Sequence, residues 1–335
     1  MVGLPLVHAS NALLGTTIPS PSAVFVGGTS GIGLATLKAL VSHTKTPCIY
    51  LIGRKESAGK EAIDQCQQQN ANAQIVFLKA DCSLIGEVDA ACMRVKEMVG
   101  DRGLDFLVLS TGYLNLEGMI ETKEGLNREL AVTYYSRMRF ISQLLPLRPS
   151  HILSILGGTK EDGPLITSDL GLKKNHTFFN AAKHGITMTS LAFEHLASTH
   201  PDTAFVHAFP ATVKTGLFTK SFGWLVGLFL DWIVLPLLRP LTTPLEEVAA
   251  RQLFHLTSAR YPPADLGERN ERAGVTRPVG VDVANAGKGW YLLDPKGECG
   301  EGKVVEEMRS EEWPRKVWEH TTASSNEAAI KGKKE

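Results

Sequence analysis

The chain has 335 residues, of which 43% are hydrophobic and 21% charged, so it can bury a sizeable core and is not disordered in composition. Its 35 basic and 35 acidic residues give a formal net charge of zero, which argues against bulk nucleic-acid binding. Five irregularly spaced cysteines without a CxxC pair indicate neither a disulfide framework nor a zinc site. They favour a reducing, cytoplasmic location. The histidines are scattered as well, so no metal site is predicted.

Membrane and secretion signals are weak. The first 22 residues contain no Lys or Arg, whereas a secretory signal begins with a positive region. The apolar stretch 222–240 has Asp231 in its middle and is interrupted by Pro236 and Pro240, so a spanning helix is not predicted. An apolar flap or buried helix is the favoured interpretation, and an interfacial membrane helix is the alternative.

Short apolar runs alternate with helical patterns along the chain. Runs rich in β-branched residues, or flanked by Gly and Pro, predict strands at 23–28, 48–53, 75–81, 105–112, 151–156, 203–210 and 290–293. Helical spacing follows the first strand, at Leu34, Leu37 and Val41, and recurs from about 178 to 198. The alternation predicts an α/β fold of the Rossmann type, a doubly wound parallel sheet covered on both faces.

The predicted organisation is one domain with extensions at both ends. Residues 1–21 form an N-terminal extension, residues 22–300 form the Rossmann-type domain, and residues 301–335 form a C-terminal helix and tail. An apolar flap is expected at about 216–245. In the last segment a short helix is predicted over 310–321 with Ser310 as its N-cap, followed by a solvated, frayed tail.

The sharpest motif is VFVGGTSGIGLATL, in which a predicted strand leads into a predicted helix through three spaced glycines. Gly27 permits a sharp turn, Gly31 lets backbone N–H groups reach a pyrophosphate, and Gly33 lets the helix pack close to the strand. The helix N-terminus, with Ser30 and Ile32, offers donors and a positive dipole to phosphates. We therefore predict a dinucleotide site here. A plain turn is the alternative.

The end of the second strand bears on cofactor choice. It reads Ile52-Gly53-Arg54-Lys55, without the acidic residue that an NAD site uses to bind the ribose 2′-hydroxyl. Arg54 is suited to form a fork around a 2′-phosphate, which predicts NADP(H). A solvated arginine on a loop is the alternative.

The ordered motifs resemble the short-chain dehydrogenase/reductase family over roughly residues 22–260. Besides the glycine motif they are Asp81, Ser110-Thr111-Gly112, Lys183 and Pro210-x-x-Val213-x-Thr215. The resemblance implies that Asp81 contacts the adenine, although a strand-end cap is its alternative role. It further implies that the segment from Ser110 to Gly112 lines the adenosine ribose, and that Val213 and Thr215 hold the nicotinamide carboxamide.

Within that family the sequence is similar to fungal enzymes of secondary-metabolite pathways, on the segments GGTSGIG, LSTG, LAVTYYSRMRF, GGTKEDGP and HLTSARYPP. The family pattern also implies a Tyr-x-x-x-Lys pair on one helix, in which the tyrosine donates a proton and the lysine binds the nicotinamide ribose.

The chain departs from the family at the catalytic positions. Lys183 is present and is predicted to bind the nicotinamide ribose, with a surface lysine as the alternative, but Phe179 stands where the family has the tyrosine. Gly157 aligns with the family's serine, and Thr133 aligns with its asparagine on the fourth helix.

Two residues are candidate substitutes, Thr159 for the serine and Tyr113 as a proton donor, with packing as the alternative role of Tyr113. Polar residues between Gly157 and Phe179 are weaker candidates: Lys160, Glu161, Asp162, Asn175 and His176.

The sequence therefore predicts an NADP(H)-dependent oxidoreductase that acts on a hydrophobic small molecule of polyketide or terpenoid type, through a non-standard site. The alternatives are a redox-inactive isomerase, cyclase or dehydratase in the same pocket, and a non-catalytic nucleotide-binding protein. The aromatic residues of the predicted flap support an apolar ligand, with an ordinary packed helix as the alternative. The resemblance also implies a homodimer or homotetramer formed through the fourth and fifth helices.

Overall fold

The short apolar runs of the chain form the strands of one seven-stranded sheet. The computed structural model describes residues 2–113, 115, 118–163, 165–211, 243–265, 288–300 and 302–333. All strand pairs are parallel, in the order β3-β2-β1-β4-β5-β6-β7. The strands are β1 Ser22–Val26, β2 Cys48–Gly53, β3 Gln74–Lys79, β4 Phe106–Leu109, β5 His151–Ile155, β6 Ala204–Ala208 and β7 Trp290–Leu293. The predicted strands and the predicted α/β Rossmann-type fold are confirmed.

Helices cover both faces of the sheet. They are α1 Leu4–Ala12, α2 Leu14–Thr17, α3 Gly31–His43, α4 Glu56–Gln69, α5 Ile85–Val99, α6 Arg128–Leu130, α7 Ser136–Leu144, α8 Phe178–Thr199, α9 Leu245–Thr257, α10 Lys303–Ser310 and α11 Trp313–Gly332. One apolar core packs the sheet against α5, α7, α8 and α11, and the other packs it against α1, α3, α4 and α9. Short 3-10 turns lie at Gly100–Arg102, Leu145–Leu147 and Thr167–Asp169.

The strand order reverses between β1 and β4. In open parallel sheets a ligand binds outside the carboxyl ends of the strands at such a switch point. The loops after β1, β4 and β5 meet at this edge, so the topology brings together the glycine motif, the segment from Ser110 to Gly112 and the loop after Gly157.

The connection between β4 and β5 contains one helical stretch, residues 128–144, that includes a π turn. A π turn over Ala131–Tyr135 joins α6 to α7. Thr133 and Tyr134 lie within it, and both are buried. Such π turns are frequent at functional sites, because the extra residue re-aims the side chains that follow it.

The C-terminal segment differs from the prediction. The helix predicted over 310–321 is confirmed from Trp313 onwards, but Ser310 as its N-cap is wrong, because α10 ends at Ser310 and Glu312 turns with φ of 60° before α11 begins. The frayed tail is also wrong, since α11 continues to Gly332 and buries small residues along one face, namely Val317, Thr321, Ser325, Ala328 and Ala329.

That face packs on α8 and on α7 with the π turn before it, the helices that follow β5 and β4. The Tyr134 hydroxyl lies 2.5 Å from Oγ1 of Thr321, and the Tyr135 hydroxyl lies 2.8 Å from Nε2 of His320. The chain therefore covers with its own helix the face through which we predicted self-association.

The N-terminal extension packs as well. The Asn11 side chain donates to the Ala250 carbonyl at 2.9 Å, and Arg251 donates to the Val2 carbonyl at 3.0 Å. Residues 212–242, which hold most of the predicted flap, lie outside the described residues.

Candidate active site

The glycine motif forms a close corner between β1 and α3. A Cβ at Gly33 would lie 2.6 Å from the Gly27 carbonyl oxygen and 2.1 Å from Oγ of Ser110. Gly27 has φ of 84°, and a Cβ there would lie 2.8 Å from the Thr111 nitrogen. Side chains at these two positions would prevent β1, the start of α3 and the segment after β4 from approaching this closely. The corner therefore fits a dinucleotide diphosphate, which needs bare backbone at this point.

The first turn of α3 supplies the donors for such a diphosphate. Gly31 is its first residue, with φ of 59°, and Ser30 is an exposed N-cap with extended backbone. Ile32 is half-buried and packs at the edge of the core on that side of the sheet. The unpaired N–H groups and the helix dipole favour an anion at this end.

Two predicted adenosine contacts lie beside the corner. Arg54 is exposed directly after β2. The Asp81 carboxylate accepts from the Ser83 nitrogen at 2.9 Å and from the Ser83 hydroxyl at 2.8 Å, which is the alternative role of a strand-end cap. One carboxylate oxygen makes both bonds. The adenine contact of Asp81 stays a prediction.

The segment after β4 is held from both sides. The Ser110 nitrogen donates to the Val26 carbonyl at 2.9 Å, and the Thr111 hydroxyl donates to the Val132 carbonyl at 3.2 Å. Gly112 is exposed next to them. Val213 and Thr215, the predicted carboxamide contacts, lie outside the described residues.

Lys183 and Phe179 lie one turn apart on α8. Lys183 is half-buried, and its ammonium approaches the loop after β5, where a Cβ at Gly163 would lie 3.0 Å from Nζ. The Phe179 side chain is 78% exposed and contacts the Phe178 ring edge-on, with the centroids 5.4 Å apart. The aromatic ring at the predicted tyrosine position thus carries no hydroxyl towards the Lys183 ammonium.

A side chain at position 157 would require the Ile186 side chain to move. A Cβ at Gly157 would lie 2.6 Å from Cδ1 of Ile186. Two residues later the β-branched Thr159 has φ of 68°, which is strained for such a residue. Strain of this kind persists only where the surroundings impose it, and it clusters at functional sites.

The remaining catalytic candidates contact α6 and the π turn that follows it. The Thr133 hydroxyl donates to the Glu129 carbonyl at 2.7 Å, so its proton is used within the helix. The Arg128 guanidinium lies 5.3 Å from the Tyr113 ring centroid, which places Tyr113 against the start of α6. A proton-donor role for Tyr113 stays a prediction.

A buried polar chain fixes the loop after β5. The Gly157 nitrogen donates to Nε2 of His207 at 3.0 Å, so Nδ1 carries the proton and donates to Oγ of Ser190 at 2.9 Å. The Ser190 hydroxyl in turn donates to the Glu161 carboxylate at 2.5 Å. Burial lowers the pKa of His207 to about 3 and raises that of Glu161. Glu161, one of the polar loop residues predicted as a weaker catalytic candidate, is thus buried within this series of hydrogen bonds.

A second buried pair joins the starts of α6 and α8. Nε2 of His176 lies 3.2 Å from Oε2 of Glu129, and each side chain is less than a twentieth exposed. Burial raises the pKa of Glu129 to about 8 and lowers that of His176, so the pair is neutral at pH 7.

Sequence reasoning missed Arg137, which is 1% exposed below the ends of β4 and β5. It lies four residues after Thr133 and four before the buried Ile141, so its position on the buried face was the available signal. The Arg137 guanidinium donates to the Ser154 hydroxyl at 2.7 Å, and Ser154 is therefore a structural residue within the sheet.

A sequence profile of the short chain dehydrogenase family matches residues 21–225, which is more than half of the chain. The chain belongs to the short-chain dehydrogenase family. The predicted family resemblance is thereby confirmed, and the family model spans the glycine corner, Lys183 and the loop between them.

Fungal relatives of this family member match it over nearly its whole length. An oxidoreductase of Emericella nidulans is 40% identical over 98% of this chain and 99% of its own. An oxidoreductase of Emericella variicolor is 33% identical over 97% of both chains. A short-chain dehydrogenase/reductase of Stachybotrys chartarum is 27% identical over 92% of this chain and 93% of its own.

Solved structures share the fold of this family member. Levodione reductase superposes with a TM-score of 0.53 at 14% identity, covering 70% of this chain and 89% of its own. A short-chain dehydrogenase of Burkholderia cenocepacia in complex with NADP gives a TM-score of 0.50 at 17% identity, with the same coverage.

Of the helices that the structure describes, none has both the length and the apolar character that crossing a bilayer requires.

Proposed function

We propose that this short-chain dehydrogenase is an NADP(H)-dependent oxidoreductase that acts on a hydrophobic small molecule in fungal secondary metabolism. The observation that carries the proposal is the close corner at Gly27 and Gly33, which can form only because neither residue has a side chain. The named oxidoreductases of Emericella support the redox assignment, and the Burkholderia complex supports NADP.

Arg54 supports NADP over NAD. It is exposed directly after β2, the position from which a side chain reaches the adenosine ribose in this fold. Arginine binds a phosphate with two parallel hydrogen bonds, and a 2′-hydroxyl offers no such partner.

The test is a binding titration of Arg54→Glu with NADPH and with NADH. We expect at least a tenfold weaker affinity for NADPH and little change for NADH, because one charge-assisted bidentate contact contributes about 1.5–3 kcal/mol. Lys55→Glu is the matched control for a charge change at the adjacent exposed residue. An equal loss for both cofactors would reject the 2′-phosphate role.

The catalytic positions support a non-standard reaction. When bound, a nicotinamide dinucleotide supplies or accepts a hydride. Lys183 would bind its ribose, whereas Phe179 offers no proton and Gly157 offers no hydroxyl to a carbonyl. A positioned acid contributes about 10²–10⁴ in rate, so simple ketones should be poor substrates. Acceptors that are activated otherwise, such as enones or iminium ions, suit this site better.

The lack of a proton donor at Phe179 and of a hydroxyl at Gly157 also favours a second candidate, a redox-inactive isomerase, cyclase or dehydratase in the same pocket. The two are separated by anaerobic incubation with the pathway intermediate and mass analysis of the product. A change of two daltons means hydride transfer, and an isomer or a loss of water means the second candidate. Phe179→Tyr should raise turnover of a simple ketone if the pocket still presents a carbonyl to that position.

We also propose a cytoplasmic location, supported by five free cysteines, of which four are buried. Any homodimer or homotetramer should use a face other than the one that α11 covers on α7 and α8.

A further inference from the structure

Arg137 is a buried cation whose partners are all neutral. One terminal nitrogen donates to the Leu109 carbonyl at 2.8 Å and to the Ser154 hydroxyl at 2.7 Å. The other donates to the Thr111 carbonyl at 2.5 Å and to the Ile155 carbonyl at 3.1 Å. Among the described residues, Nε has no hydrogen-bond partner and the guanidinium has no carboxylate at ion-pair distance.

The Arg137 guanidinium keeps its positive charge although it is buried. Burial lowers the pKa of Arg137 to about 9, which leaves the guanidinium protonated at pH 7. The titratable groups that act on it are the Cys82 thiol and the His207 imidazole. Burial raises the pKa of Cys82 to about 12 and lowers that of His207 to about 3, so both are neutral at pH 7. Within the part of the chain that the structure describes, no ionised group at this point therefore cancels the positive charge.

The position of the charge gives it a role in the site. Leu109 and Thr111 belong to the carboxyl end of β4, and Ile155 ends β5. A dinucleotide held at the glycine corner extends along this edge from the switch point. Carbonyl dipoles solvate a cation without removing its net charge, and a charge in a dry interior acts over a longer distance than one in water.

We propose that Arg137 biases this site towards the reduced form of the nicotinamide cofactor, an inference that rests on the proposed function. The oxidised nicotinamide ring carries a positive charge that the reduced ring lacks. A fixed cation below the site therefore raises the free energy of the oxidised form and favours tight binding of the hydride donor. All four terminal N–H groups of Arg137 point at the strand ends, so it is a positioning residue that acts by its charge and does not touch the substrate.

The experiment compares dissociation constants of NADP⁺ and NADPH for the wild type, Arg137→Gln and Arg137→Met. We expect the ratio of the NADP⁺ constant to the NADPH constant to fall about three- to tenfold in both variants. Gln retains donors for the strand carbonyls and Met does not, so an equal fall in both identifies the charge as the cause. Arg139→Met is the matched control, because Arg139 on the same helix is already paired with Asp89 at 2.6 Å. Its ratio should not change.

The outcomes separate the two proposals. If the wild type binds neither dinucleotide, the proposed function fails. If it binds both, and the ratio is the same in the wild type, Arg137→Gln and Arg139→Met, Arg137 is only a structural clamp and the inference is overturned. Should both Arg137 variants fail to fold, the ratio is measured in Ser154→Asp, whose carboxylate would pair with the guanidinium and offset its charge. A fall in the ratio supports the inference, and an unchanged ratio overturns it.

Discussion

Replacing Gly33 with Ala tests the geometry on which the cofactor proposal depends. The new Cβ would lie 2.6 Å from the Gly27 carbonyl oxygen, about 0.8 Å closer than the 3.4 Å at which ordinary contact begins. It would also lie 2.1 Å from Oγ of Ser110, a hydroxyl that can rotate away. The carbonyl belongs to the backbone of the turn and cannot rotate, so the start of α3 has to move.

The expected cost has two parts. Overpacking of a well-packed position costs about 1–3 kcal/mol of unfolding free energy. A shift of the first turn of α3 also displaces the N–H groups that would face the diphosphate, so we expect NADPH binding to weaken at least tenfold. Urea unfolding followed by circular dichroism measures the first effect, and a fluorescence titration measures the second.

Two further variants make the test specific. Gly302→Ala is the control, because a Cβ there lies no closer than 3.6 Å to Glu161 and should change neither quantity. Adding Ser110→Ala to Gly33→Ala removes the hydroxyl contact but leaves the carbonyl contact, so the double variant should remain weak. Wild-type affinity and stability in Gly33→Ala would refute the steric argument, and full rescue by Ser110→Ala would assign the clash to the hydroxyl.

Three further outcomes are expected. Deleting residues 311–335 should lower the melting temperature by several degrees and expose Tyr134 and Tyr135 to an apolar dye, because α11 covers both, whereas deleting the last three residues should do neither. Because burial raises the pKa of Glu129 to about 8, the folded protein holds a proton that the unfolded chain has released, so wild-type stability falls between pH 7 and pH 8 by up to about 1.4 kcal/mol. Glu129→Gln should remove this loss in urea unfolding at the two pH values, and an unchanged slope would contradict it. Gly157→Ser should destabilise the protein because its Cβ would lie 2.6 Å from Cδ1 of Ile186, and Ile186→Ala should restore part of the loss in the same assay; a stable single variant would show that Ile186 moves aside.

Local sequence patterns were sufficient to predict the strands of the sheet and the glycine corner. Residues 23–26 of β1 form a continuous apolar run, as expected for a strand buried on both faces. The glycines at 27 and 33 follow it at a spacing whose reason is steric, so strand, turn and helix could be predicted together.

The C-terminal helix could not be predicted in the same way. Its buried face consists mainly of Thr321, Ser325, Ala328 and Ala329, small residues that read as a solvated tail. They are buried because they let α11 approach α7 and α8 closely, and that contact is visible only once those helices are placed. The same limit applies to Arg137, since an arginine is rarely fully buried and its neutral acceptors come from two different strands.

The arrangement at the strand ends limits which groups are available for chemistry. The Ser154 hydroxyl accepts from Arg137, the His207 imidazole is used by Gly157 and Ser190, and the Thr133 hydroxyl donates within its own helix. Each of these groups stabilises the backbone around the site, and breaking its hydrogen bond would leave a buried polar atom unsatisfied, at about 1–3 kcal/mol. Protonation by one of them would therefore add that cost to the barrier. A substrate that is protonated by water, or that needs no proton when hydride arrives, avoids it, which is why we favour such acceptors over simple ketones.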